Sequence, residues 1–157
     1  MAELKTCLEE AGYQNVATIL QTGNVVLDSP RKKTEVLGRK LESLIGKAFD
    51  YPARLLLLEP EELRKVIAGY PFDKGPDFHQ YVVFTDPAGV QALMESCGSL
   101  DGATEAVTAG DRVVYWTVQK GHTLDSPFGK CLAKVSTKHL TTNRNIRTLD
   151  KILQKCN

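Results

Sequence analysis

Residues 80–84 read Gln-Tyr-Val-Val-Phe, and the pair Asp86-Pro87 comes shortly after them. A run of β-branched and aromatic residues is typical of a strand, and an Asp-Pro pair is typical of the start of a helix. The predicted helix carries apolar residues at helical spacing, namely Val90, Leu93, Met94 and Cys97. The chain therefore passes from a strand into a helix in this region.

The residues that follow extend this pattern. Thr104–Thr108 and Arg112–Gln119 predict a hairpin, and Asp125-Ser-Pro127 predicts the cap of a second helix. A short strand near Lys138–Thr141 and a final helix complete the region. The apolar residues of these two helices are Phe128, Cys131, Leu132 and Val135, then Ile146, Leu149, Ile152, Leu153 and Cys156. The order β-α-β-β-α-β is that of a ferredoxin-like unit.

The first third of the chain shows the same order without an opening strand. Apolar residues at helical spacing predict a first helix, and they are Leu4, Cys7, Leu8 and Ala11. Val16–Leu20 and Val25–Leu27 predict a hairpin, and Ser29-Pro30 predicts the N-cap and first residue of a second helix. The apolar run Arg54–Leu58 is typical of a buried strand.

These patterns predict an α+β protein made of two tandem ferredoxin-like halves, the first lacking its opening strand, with a C-terminal helix added. The predicted boundaries are 1–59 for the first half, 60–77 for a connecting helix and loop, 78–141 for the second half, and 142–157 for the C-terminal helix.

Bulk composition is ordinary for a folded protein, and its charge is unevenly distributed. Hydrophobic residues make up 42% and charged residues 25% of 157 residues. Residues 120–157 contain eight basic and two acidic residues, a local net charge of +6, whereas the whole chain carries +1. Such asymmetry is typical of a surface for anionic partners.

The sequence contains no membrane-length apolar run and no signal-peptide pattern, so we expect a cytoplasmic protein with no membrane partner. The four cysteines form no CxxC pair and fall on apolar helix stripes, so we expect them to pack in the core. The three histidines lack metal-ligand spacing, so the prediction is no metal and no cofactor.

Both ends of the chain resemble the bacterial family called domain of unknown function 1697. The resemblance rests on Leu-Glu-Glu-Ala-Gly at 8–12, on Gln-Thr-Gly-Asn-Val-Val at 21–26, and on Thr-Asn-Arg-Asn-Ile-Arg-Thr at 142–148. It implies a fold and a bacterial source, and it supplies no activity. Ile146 stands where the family has Trp, which argues against an aromatic platform at that position.

Members of this family begin with a strand and an Arg-Gly-x-Asn-Val-Gly-Gly loop, and this sequence shows neither. We therefore expect a clipped fragment or a misassigned start at Met1. A chain that starts here would need a rearranged first sheet, a strand donated by a partner, or a homo-oligomeric partner at that sheet, because unpaired buried backbone groups are costly.

Two groups of residues are candidates for binding an anion. The first surrounds the expected start of the last helix, where backbone N–H groups attract anions. Its members are Lys134, Lys138, His139, Thr142, Arg144 and Asn145, with Thr142 expected to be the N-cap. The second is the turn Gln21, Thr22, Gly23 and Asn24. The alternatives are a simple helix cap with an Arg144 ion pair, and a turn shaped only by backbone geometry.

Three functional hypotheses follow. The first is a binding module for an anionic ligand, with nucleic acid or an anionic small molecule as the partner, through the basic C-terminal segment. The second is an enzyme acting on a small phosphorylated or carboxylated metabolite, although no catalytic signature is present. The third is a structural or interaction protein without a ligand.

Overall fold

The computed structural model describes residues 1–30 and 34–156. Within them the chain is a mixed α+β protein with six helices and two antiparallel sheets. The helices are α1 (Ala2–Glu10), α2 (Thr34–Phe49), α3 (Pro60–Ala68), α4 (Pro87–Ser96), α5 (Pro127–Val135) and α6 (Ile146–Lys155). The strands are β1 (Gln14–Ile19), β2 (Asn24–Asp28), β3 (Phe78–Phe84), β4 (Glu105–Ala109), β5 (Val113–Gln119) and β6 (Thr142–Asn145).

The chain forms two compact units. Unit 1 contains Met1–Arg64 together with Leu149–Asn157, and unit 2 contains Lys65–Thr148.

The sheet of unit 2 has four strands in the order β4-β5-β3-β6. The central strand β3 pairs along its whole length with β5, from Phe78 opposite Gln119 to Phe84 opposite Val113. Its other edge pairs with β6, from Tyr81 opposite Asn145 to Phe84 opposite Thr142. Both pairings are antiparallel, so β3 has a strand partner on each side.

One face of this sheet is covered by α4 and α5. Val83, Val114, Trp116 and Val118 pack there with residues of the two helices, which are Leu93, Phe128, Cys131 and Val135. Alternation along the strands sends these side chains to one face. Tyr115 lies on the opposite face, where its hydroxyl donates a 3.0 Å hydrogen bond to the Val66 carbonyl oxygen.

Tyr81 and Tyr115 lie on opposite faces and so cannot form a shared stacking surface. Tyr81 is opposite Trp116 in the register, and their ring centroids are 5.2 Å apart. Tyr115 instead lies opposite Val82.

A buried carboxylate joins β4, β5 and α5. Glu105 is 1% exposed. One of its oxygens accepts a 3.1 Å bond from the Trp116 indole N–H, and the other accepts a 3.1 Å bond from the Phe128 backbone N–H. Phe128 is in the first turn of α5, where backbone N–H groups have no helical partner. Glu105 therefore ties the sheet to the start of this helix.

Unit 1 packs α1 and α2 against a two-stranded sheet. Its core contains Leu8, Tyr13, Val16, Leu37 and Leu41. The strands β1 and β2 form an antiparallel hairpin whose register shifts between Gln14 and Ala17. The sequence predicted Ser29 as the N-cap and Pro30 as the first residue of α2. Pro30 instead lies in a bend, α2 is described from Thr34, and residues 31–33 between them lie outside the described residues.

The strand predicted at Arg54–Leu58 is wrong. These residues belong to no strand of the two sheets. A strand requires a partner for its backbone groups, and within the described chain β1 and β2 pair only with each other. The Leu55 N–H instead donates a 3.0 Å hydrogen bond to a carboxylate oxygen of Glu42 in α2.

The last strand and last helix also begin later than predicted. Lys138–Thr141 is turn and loop, because the N–H groups of Lys138 and His139 both bond to the Val135 carbonyl oxygen, at 3.0 Å each, and extend the end of α5. Thr142–Asn145 forms β6 instead of opening the helix. Thr142 is therefore not an N-cap, and α6 begins at Ile146.

We expect Glu105→Ala to lower the free energy of unfolding by about 3 kcal/mol, because it leaves two buried N–H donors without an acceptor. Glu105→Gln keeps an acceptor oxygen and should cost less. Urea unfolding followed by Trp116 fluorescence measures both. The exposed Glu10→Ala variant is the control and should stay within about 0.5 kcal/mol of the parent. A Glu105→Ala protein as stable as this control would contradict the assignment.

Candidate anion-binding site

The lysines of α5 form a solvent-exposed row. Lys130 and Lys134 are one helical turn apart, and Lys138 follows in the turn after the helix. We call Lys130, Lys134 and Lys138 the α5 lysine row. All three are exposed, and none has a carboxylate oxygen within 4.0 Å in the part of the chain that the structure describes. The row therefore presents ammonium groups whose charge is not offset by a neighbouring acid.

Lys130 was missed as a candidate from the sequence, although the i, i+4 spacing to Lys134 is visible there. Helical residues four apart lie on the same face. The apolar residues Phe128, Cys131 and Val135 fix which face of α5 is buried, and thus which face carries the lysines.

The N-terminus of α5 is bonded to the protein's own side chains. The Ser126 hydroxyl oxygen accepts a 3.1 Å hydrogen bond from the Gly129 N–H, while Glu105 accepts from the Phe128 N–H. Any anion at α5 would accordingly contact the lysine side chains rather than these backbone groups.

Hydroxyl groups hold the loop that carries Lys138. Ser136 donates a 2.7 Å hydrogen bond to the Leu132 carbonyl oxygen, and Thr137 donates a 2.7 Å bond to the Lys134 carbonyl oxygen. Further along, the Thr85 hydroxyl donates a 2.8 Å bond to the Leu140 carbonyl oxygen. These bonds fix the loop to α5 on one side and to the end of β3 on the other.

His139 faces an acid rather than solvent alone. Its Nδ1 lies 3.6 Å from Oδ1 of Asp86, and its side chain is 26% exposed. The same Asp86 oxygen accepts a 2.6 Å hydrogen bond from the Gly89 N–H and caps α4, as the sequence predicted for this residue. A protonated His139 would be held mainly by Asp86 and would add little to an external anion site.

Arg144 lies on β6, away from the α5 lysine row. It pairs with Val82, and Thr142 pairs with Phe84. Val83, which lies between Val82 and Phe84, faces α4 and α5. Arg144 and Thr142 therefore lie on the other face of the sheet. Burial lowers the pKa of its guanidinium group. One guanidinium nitrogen donates a 2.9 Å hydrogen bond to the Asn143 carbonyl oxygen.

Asn145 performs the capping role that the sequence assigned to Thr142. Its side-chain oxygen accepts a 3.0 Å hydrogen bond from the Arg147 N–H in the first turn of α6. Asn145 pairs with Tyr81 and so lies on the opposite sheet face from Arg144. The two residues expected to act together are thus separated by the alternation of the strand.

The turn Gln21–Asn24 belongs to unit 1, where Asn24 has a structural role. Asn24 is 7% exposed, and its amide N–H group donates to the Ile19 carbonyl oxygen at 3.0 Å and to the Thr22 hydroxyl at 2.8 Å. Gly23 has a φ of 78°, a conformation that favours glycine. Gln21 and Thr22 are exposed. Gly23 therefore fits the turn through its backbone conformation, and Asn24 through its side-chain hydrogen bonds.

Cys131 is buried in the core of unit 2, and the partly buried Cys97 packs against the same core. Burial, together with a hydrogen bond to Cys131, raises the pKa of the Cys97 thiol to about 12. Burial also raises the pKa of Cys156. Such thiols are neutral and weakly nucleophilic near pH 7.

The described residues contain neither a metal-binding cluster nor a membrane-spanning helix. No group of three or more His, Cys, Asp or Glu side chains is arranged to hold a metal ion. None of the described helices has the length and apolar character needed to cross a membrane.

The geometry defines an α+β protein whose second unit carries an exposed cationic helix face. The model of the DUF1697 family, described as a protein of unknown function, matches residues 1–115, and the chain belongs to that family. No curated protein has a significant sequence match to the chain.

A solved structure shares the fold. The conserved bacterial protein SP0830 from Streptococcus pneumoniae matches with a TM-score of 0.79 and 23% sequence identity. The match covers 100% of this chain and 88% of that chain. At this level of identity the likeness concerns the fold alone.

We expect Asn24→Ala to lower the free energy of unfolding by about 1–2 kcal/mol, because it removes the donor that joins Ile19 to the turn. Gln21→Ala is the matched control and should stay within about 0.5 kcal/mol of the parent, since its side chain is exposed. Urea unfolding followed by circular dichroism compares them. Equal stability of all three proteins would show that Asn24 is not a structural residue.

Proposed function

We propose that this protein is a binding module for a polyanion, with single-stranded nucleic acid as the ligand class, and that the α5 lysine row is the contact surface. The observation that carries the proposal is the row itself: three exposed lysines without a carboxylate partner among the described residues. Lysines arranged in this way bind phosphates as point charges and release condensed counterions.

A structural explanation competes for part of this row. Lys134 is in the last turn of α5, where a positive charge is stabilised by the negative end of the helix dipole. That effect is worth only about 0.3–1 kcal/mol at an exposed site and does not involve Lys130 in the first turn. Measurements of stability and of binding therefore separate the two roles.

The sequence candidates contribute unequally to this proposal. Lys134 and Lys138 belong to the row. His139 lies beside Asp86 and contributes less. Thr142, Arg144 and Asn145 would act indirectly, because β6 positions the loop that ends the row.

The finer fold assignment is part of the same proposal. We infer that unit 2 is ferredoxin-like, supported by its element order β3-α4-β4-β5-α5-β6 and its strand order β4-β5-β3-β6. Unit 1 would be a related arrangement with fewer paired strands. We also propose a bacterial source and a cytoplasmic location, supported by the bacterial origin of SP0830 and by the four free cysteines.

Binding to a labelled single-stranded oligonucleotide should weaken steeply as salt rises from 50 to 200 mM. We expect the triple variant K130Q/K134Q/K138Q to reduce the slope of log K against log salt by about 2, because each phosphate contact contributes about 0.7 for a single strand. Fluorescence polarisation measures the slope for each protein.

The matched control is K40Q/K47Q/K65Q, which removes the same charge from exposed lysines outside the row. It should retain the parent slope. The proposal fails if the parent has no affinity at 50 mM salt, or if the control loses as much as the row variant. Duplex DNA of the same sequence serves as a second probe.

A further inference from the structure

Two of the four cysteines converge in the core of unit 2. Cys131 lies on α5 and is 8% exposed, and Cys97, which follows the last residue of α4, is partly buried against the same core. Both residues donate a hydrogen bond to the Leu93 carbonyl oxygen, the Cys97 backbone N–H at 3.2 Å and the Cys131 thiol at 3.8 Å. The two thiols also share a hydrogen bond with each other. Their sulfur atoms are therefore neighbours, although they come from separate parts of the chain.

The other two cysteines are placed differently. Cys7 lies on α1 and Cys156 follows α6, and both belong to unit 1. The Cys156 thiol donates a 3.3 Å hydrogen bond to the Ile152 carbonyl oxygen of α6. Cys97 and Cys131 are thus the two cysteines of unit 2, and Cys7 and Cys156 provide a reference within the same chain.

The position of Cys97 favours closure of a disulfide bond. α4 ends at Ser96, and Cys97 has an extended backbone with a φ of −76° and a ψ of 114°. A Cβ placed on the next residue, Gly98, would meet no atom beyond its chain neighbours within 4 Å, so the chain has room there. A disulfide requires a narrow range of geometry, and a residue beyond a helix end adjusts to it more easily than one fixed inside the helix.

The surroundings of the pair keep it reduced at rest. Burial, contact with the Cys131 thiol and the nearby Glu105 carboxyl group raise the pKa of the Cys97 thiol to about 12. Near pH 7 only a very small fraction is thiolate, which is the form that reacts with oxidants. We therefore expect the first sulfur to be oxidised slowly. The second step should be fast, because the partner sulfur is already in contact.

We propose that Cys97 and Cys131 form a dithiol modification site, which a peroxide converts into a reversible disulfide between the end of α4 and α5. The partly exposed Cys97 loses its proton and attacks one oxygen of hydrogen peroxide; the O–O bond breaks, and the leaving oxygen is protonated to water. The Cys131 sulfur then attacks the sulfur of the Cys97 sulfenic acid, and its proton leaves with the hydroxyl group as a second water. Two electrons pass from the sulfur pair to the peroxide.

The cross-link would close a loop that contains the whole β4–β5 hairpin. Such a bond stabilises the folded chain mainly by restricting the unfolded one. It would also fix α5, the helix that carries the α5 lysine row, to α4. The proposal does not depend on what the lysine row binds, because it concerns the buried side of the helix.

The test treats the full chain with hydrogen peroxide, alkylates the remaining thiols under denaturing conditions, and maps the peptides by mass spectrometry. The expected product is a cross-linked peptide containing Cys97 and Cys131, with a mass about 2 Da below the sum of the two reduced peptides. It should be roughly tenfold or more abundant than any other cysteine pair, because only these sulfurs are held together. Dithiothreitol should reverse it, and Cys7 and Cys156 should carry the alkyl group.

Single variants separate the two roles in the reaction. In Cys131→Ser the sulfenic acid of Cys97 has no partner and should be trapped by dimedone, whereas the parent should give little of this adduct. Cys156→Ser is the matched control and should cross-link like the parent. The oxidised parent should unfold at a higher urea concentration than the reduced parent, and Cys97→Ser should show no such rise. The proposal is overturned if peroxide leaves Cys131 alkylated in the parent while Cys97 is oxidised further, or if either cysteine pairs mainly with Cys7 or Cys156.

Discussion

The pairing of β3 with a strand at each of its edges is the constraint on which unit 2 depends. Seven residue pairs join it to β5 and four join it to β6. This places Val83 beside Val114 on the face that α4 and α5 cover, and it draws the loop after α5 to the end of β3 through Thr85 and Leu140. The position of the α5 lysine row follows from that sheet, because the helix packs on it through Phe128 and Val135.

An acidic side chain inside this core strengthens the same arrangement. The Glu105 carboxylate is desolvated, but both of its oxygens accept hydrogen bonds from donors that would otherwise be unsatisfied. A buried polar group is tolerated when its atoms are hydrogen-bonded in this way. The helix start therefore uses a carboxylate of its own chain, while the cations on the outer face of α5 remain in solvent. The start of α5 thus contacts a buried acid of β4, whereas the outer face of the helix carries the exposed Lys130 and Lys134.

Much of the fold was predictable from the sequence, because the elements of unit 2 carry local signals. The Asp86-Pro87 and Ser126-Pro127 pairs mark helix starts, and the alternation around Trp116 identifies the buried face. The run Arg54–Leu58 shows the limit of this reasoning: its composition favours a strand, but strand formation depends on a partner that local sequence does not specify. Thr142–Asn145 likewise reads as a helix start, and pairing with β3 decides that it is a strand. The candidate site was predictable only in part, since alternation along β6 places Arg144 on the face away from Lys134.

The two sheets differ in strand pairing: β3 has a strand partner on each side, whereas within the described residues β1 and β2 pair only with each other and residues 54–58 belong to no strand. Residue-resolved amide hydrogen exchange on the chain alone, without added ligand, measures this directly. Amides of β3 should exchange only through global unfolding, whereas Leu56–Leu58 should exchange by local opening, several orders of magnitude faster. Protection of residues 54–58 equal to that of β6 would contradict the account, because it would mean that this run already has a strand partner.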